Sequence, residues 1–126
     1  MDPDEGMAAL RSVLASWRSG RQPDRAVLRT ATQWTLQELA GVAPGRSVEV
    51  RVPPLAATQC VAGPTHTRGT PPNTVQTDPR TWLELATGTV SWQDAVATAR
   101  VQISGVRSDL SAWLPLPQAV AAADVI

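Results

Sequence analysis

The sequence predicts a single α/β domain of the mixed α+β kind, and three observations carry that prediction. Residues 1–42 hold two stretches whose apolar side chains recur at three- and four-residue steps, the helical period. After Pro44-Gly45 the spacing switches to strict alternation, the period of a strand buried on one side. Beyond residue 78 two short, capped helices precede a return to period two. At 126 residues the chain fits one such domain, which hides roughly two-thirds of the surface its unfolded form exposes. The expected organisation is 1–42 as a helical hairpin, 45–114 as sheet and crossover helices, and 115–126 as an Ala-rich tail.

The first helix is expected from Pro3 to Arg18, with Met7, Leu10, Val13, Leu14 and Trp17 on one face. Asp2, Asp4 and Glu5 lie in its first turn, where the helix dipole favours negative charge, and Gly20 ends it. A second helix should run from Asp24 to Leu39, burying Leu28, Ala31, Trp34 or Thr35, and Leu39. Gly41 is placed to cap it, with Pro44 beyond to block continuation. In the strand 47–52, Val48, Val50 and Val52 should share a side, and Pro53-Pro54 stops it. Strands are also expected at 55–62 and 73–77, separated by a loop rich in Gly and Pro.

Asp78 followed by Pro79 reads as an N-cap and first helical residue for a helix at 78–87, capped at its end by Gly88. Ser91-Trp92-Gln93-Asp94 reads as a capping box opening a helix at 91–99. A strand at 100–106 should turn Val101 and Ile103 to one side, and a short helix should follow at 109–114, before Pro115-Leu116-Pro117.

Composition excludes several function classes. Eleven basic residues, all Arg, balance eleven acids and form no stripe, so nucleic-acid binding is not expected. The single Cys60 permits no internal disulfide, supports no zinc cluster, and reads as a small buried hydrophobe in a strand. The opening residues lack the charged and apolar regions of a signal peptide, and no apolar run approaches the ~20 residues of a membrane span. A cytoplasmic location is the resulting expectation. A catalytic triad or Cys-His pair would have to use His66, the only histidine, with Cys60 six residues upstream as the nearest thiol. Spacing does not exclude that geometry and nothing favours it, and no cluster has metal-ligand spacing. The glycines form neither a phosphate loop nor a dinucleotide fingerprint. Asp78, Glu84 and Asp94 read as a cap, a solvated helix position and another cap. No enzyme and no cofactor are expected.

Two features admit a functional and a structural reading. In His66-Thr67-Arg68-Gly69-Thr70, His66 and Arg68 could hold an anionic head group, or Arg68 could pair with an acid while the hydroxyls satisfy loop backbone. The chain has five tryptophans and neither Phe nor Tyr. Trp82, Trp92 and Trp113 could line an apolar pocket or fill the core.

The run Asp78-Pro79-Arg80-Thr81-Trp82-Leu83-Glu84-Leu85-Ala86-Thr87-Gly88, followed by Val90-Ser91-Trp92-Gln93-Asp94-Ala95-Val96, resembles the second half of the sterol carrier protein family. Val101-Gln102-Ile103-Ser104-Gly105 is similar to that family's closing strand. The block from Arg51-Val52-Pro53-Pro54 to His66-Thr67-Arg68-Gly69-Thr70-Pro71-Pro72-Asn73 looks like a short actinobacterial branch of the same family. The resemblance implies a curved sheet of about five strands with helices over one face, here with two extra N-terminal helices. It implies an apolar tunnel that holds fatty acyl chains or sterols. The sequence departs from that pattern in having no phenylalanine.

The expected function is therefore non-enzymatic binding or carrying of a lipid or other apolar small molecule. Its expected lining is Trp82, Leu85, Trp92, Val96, Val101, Ile103, Leu110, Trp113 and Leu114, with His66 and Arg68 as the head-group candidates. The alternative is a protein-interaction or regulatory module whose tunnel is filled by side chains, similar to accessory domains of mycothiol-dependent enzymes. A homodimer or a protein partner is compatible with either.

Overall fold

Nine elements follow one another along the chain in the computed structural model, which describes residues 1–64 and 73–124. They are α1 (Pro3–Arg18), α2 (Arg25–Val42), β1 (Val48–Val52), β2 (Ala56–Cys60), β3 (Asn73–Thr77), α3 (Pro79–Thr87), α4 (Trp92–Ala97), β4 (Val101–Ser104) and α5 (Pro117–Ala123). Four helices start on a side-chain cap. The carboxylates of Asp2, Asp24 and Asp78 and the hydroxyl of Ser91 accept backbone N–H groups of the first turn. Each such cap contributes about 1 kcal/mol by satisfying a donor that the helix leaves unpaired.

The four strands form one sheet in the order β2-β1-β3-β4. β1 and β3 run parallel, while the outer pairs β1–β2 and β3–β4 are antiparallel. Register places Val48, Val50 and Val52 on the same face as Asn73, Val75, Thr77 and Val101, and all of these are buried. Glu49, Arg51, Gln76 and Gln102 lie on the opposite face and keep contact with solvent. The sheet is therefore covered on one face, as the alternation in its strands requires.

The cover has two layers. α2 packs against β2 and α4 against β4, while α3 touches both of these helices. α1 lies on α2, and α5 lies on α1 and α3. Close approach of α1 to α2 depends on Gly6, because a Cβ built there would fall inside the Trp34 ring. No helix among the described residues is long and apolar enough to cross a membrane.

Several sequence expectations need correction. The described sheet has four strands where about five were expected. α2 continues through Gly41 to Val42, and Ala43 takes the cap position, with its N–H donating to the Leu39 carbonyl. Two segments exchange their expected states. Residues 109–114 form turns, not a helix, with Asp109 accepting the Ser111 N–H at 2.9 Å in a competing local bond. The supposed tail contains α5, whose Ala119 and Ala122 are buried. Their small side chains let it lie close against α1, where Arg11 donates to the Ala122 carbonyl. α4 and β4 are shorter than expected, since Ala99 and Gly105 take left-handed backbone conformations at φ 59° and 94°.

Candidate functional site

Leu85, Trp92 and Leu114 come from three separate segments and converge on one cleft of about 190 Å³. α3 stops at Gly88, whose left-handed conformation (φ 81°) reverses the chain. The Val90 N–H returns to the Glu84 carbonyl at 3.3 Å, folding the turn back on α3. The Ser91 cap then starts α4 so that Trp92 is its first residue, beside Leu85 at the cleft. On the opposite wall the Leu116 N–H donates to the Ala86 carbonyl at 2.9 Å. This bond draws Leu114 and Pro115 onto the end of α3, and a Cβ on Gly88 would press on the Pro115 ring.

The other expected lining residues lie elsewhere. Trp82 is 1% exposed and its indole N–H donates to Thr35 Oγ1 at 2.8 Å, which joins it to α2 inside the core. Leu110 and Val101 are buried in the main core cluster, and Val96 and Trp113 are packed partly buried against it. Ile103 has the parity of Val101 but is 47% exposed, because β4 is the last strand of the sheet. His66 and Arg68 lie outside the described residues. Sequence reading missed Val90, Ser111 and Pro115 as cleft residues. Only the fold of the 109–116 segment over α3 brings them together.

A second, larger groove of about 480 Å³ runs between the ends of α1, α3 and α5. Its floor is a charge network. Arg80 stacks over the Trp17 ring at 4.8 Å and pairs with Glu84 at 3.7 Å, and Arg100 also binds Glu84. Arg100 further donates to Thr81 Oγ1 at 3.2 Å, and Thr81 donates to the Asp78 carboxylate. Glu84 is thus a part-buried hub holding two arginines, not the solvated position its spacing suggested. The network joins α3 to the start of β4.

Three groups among the described residues have shifted ionisation, each with a local cause. Burial alone would raise the Asp78 carboxyl. Hydrogen bonds from Thr81 and its own backbone, with the Arg100 charge, outweigh that and hold it below the usual carboxylate range. Hydrogen bonds from Ser111 likewise lower Asp109. Burial pushes the Cys60 thiol up to about 11, which favours its neutral form at neutral pH. Among the described residues no cluster of His, Cys, Asp and Glu could hold a metal ion.

Comparison with known proteins accords with this picture. A family model described as a bacterial SCP ortholog matches residues 24–116. No curated protein matches the chain. The matched span opens on Asp24, the cap of α2, and closes on Leu116, the residue before α5. Two helices, α1 and α2, precede the sheet, and the match begins at the second of them. In general the SCP family suggests lipid carriage without catalysis. The chain belongs to the sterol carrier protein family, by its match to the family's bacterial SCP ortholog model.

Proposed function

We propose that the protein is a non-enzymatic carrier of an apolar ligand, and that an acyl end enters the cleft lined by Leu85, Trp92 and Leu114. The observation that carries this reading is their convergence, from three segments, on an opening next to the core. The cleft's 190 Å³ lies below the ~300–1,000 Å³ of pockets that enclose drug-sized ligands, so it suits the tip of a chain and not a sterol ring system. Each buried methylene contributes roughly 0.8 kcal/mol, so a cleft this size supports weak, exchangeable binding.

A fluorescent fatty acid titrated into the protein should bind saturably at tens of micromolar and change Trp92 emission. Val90→Trp should fill the cleft and abolish that binding while the melting temperature holds. Binding that survives Val90→Trp unchanged would place the ligand elsewhere.

The second reading, an interaction module with a side-chain-filled interior, draws support from Trp82. Its ring is buried in the core and its N–H is bonded to Thr35 of α2. Native mass spectrometry separates the two: a carrier keeps a co-purifying lipid, whereas a filled module yields the bare chain and no fatty-acid binding.

A further inference from the structure

We propose, resting on the carrier reading above, that the cleft prefers a chain whose inserted end carries an uncharged oxygen, such as a terminal hydroxyl, and that this oxygen accepts a hydrogen bond from the Trp92 indole N–H. Trp92 is only 8% exposed, yet its N–H meets no acceptor among the described residues. No fully buried side-chain nitrogen or oxygen among them lacks a partner. The N–H therefore keeps a share of the small accessible area of its ring, and that ring lines the cleft. Trp82 stands in contrast, because Thr35 takes up its indole N–H at 2.8 Å. Buried indoles ordinarily find a partner within the protein. The one at the cleft keeps its donor for whatever enters.

A plain methyl tip would strip water from that N–H and return nothing, whereas a terminal oxygen replaces the lost bond. Two further groups of the cleft favour the same chemistry. Ser91 accepts the Asp94 N–H at 3.1 Å and keeps its own hydroxyl proton to donate. The Gln93 amide has no partner among the described residues. None of the lining residues carries a charge, and Asp109, which accepts the Ser111 N–H at 2.9 Å, sets a carboxylate beside them. Arg80 and Arg100 are both committed to Glu84. An anionic end would thus lose its water, meet no cation on the cleft wall and have a negative neighbour. The inserted oxygen is accordingly uncharged.

Calorimetric titration of the full chain with dodecanoate and with 12-hydroxydodecanoate tests this, since the two differ by one oxygen at the inserted end. The hydroxylated chain should bind the wild type about five-fold more tightly, the gain expected of one hydrogen bond. Trp92→Phe should bind dodecanoate at least as tightly as the wild type does and lose the preference, because the donor is gone. In the wild type the assigned Trp92 indole N–H resonance should move downfield with the hydroxylated chain and not with the plain one, a readout that does not depend on the variant folding. A wild type that binds neither chain at about 1 mM overturns the carrier reading and this inference together. Equal binding of the two chains, a preference that survives Trp92→Phe, or an unmoved indole resonance overturns this inference and leaves the carrier reading standing.

Discussion

The indole N–H of Trp82 donates to Thr35 Oγ1 at 2.8 Å, a buried bond between α3 and α2 that spans 47 residues of sequence. Thr35 Oγ1 in turn donates to the Ala31 carbonyl at 2.8 Å. Thr35→Val keeps the shape of the side chain and removes the acceptor. The buried N–H is then left unpaired, at a cost of about 1–3 kcal/mol. Trp82→Phe, which removes the donor, should make the loss from Thr35→Val much smaller in the double variant. Urea unfolding of the four proteins measures this coupling, and simple additivity would show that the bond contributes nothing.

Gly6 makes an opposite-signed test of helix propensity. Replacing glycine by alanine inside an exposed helix ordinarily stabilises by roughly 0.5–1 kcal/mol. Here the added methyl would meet the Trp34 ring. Gly6→Ala should therefore destabilise by about 1–3 kcal/mol through overpacking. Adding Trp34→Leu, which makes room, should return part of that loss in thermal unfolding. A stabilised single variant would mean that α1 does not lie so close to α2.

Acid should weaken the link between α3 and β4. The Asp78 carboxyl is held below its ordinary value, so the folded state favours its charged form. Its contribution is present above the unfolded value of about 4 and is lost as pH falls through the lower folded value. Stability of the wild type should accordingly fall below about pH 4. Asp78→Ala should lose about 1 kcal/mol at neutral pH from the missing cap and show a shallower acid limb. Denaturation at pH 7, 4 and 3 reads both effects; parallel curves for the two proteins would remove Asp78 from the account.

The caps and the one-sided sheet were legible because their causes are local. Asp78-Pro79 and Ser91 through Asp94 carry helix starts in side chains three residues from the donors they satisfy. Val48, Val50 and Val52 announce a buried face by alternation alone. Cys60, in a strand with no charged neighbour beside it, was read as a small core residue and is one.

The sequence by itself determined the order of helices and strands, most of their starts, and the side of β1 that faces the core, since each depends on groups a few residues apart. The tertiary structure alone decided which helix covers which strand. It made a helix of the Ala-rich segment, because Ala119 and Ala122 are helical mainly by being buried near α1 and α3. It separated Trp82 from the cleft by committing its N–H to Thr35, and it brought Leu114 and Pro115 to Leu85 through the Leu116–Ala86 bond. It left Ile103 half exposed although Val101, two residues earlier on the same face, is buried. Periodicity reports which way a side chain points, whereas burial depends on what the rest of the chain sets above it.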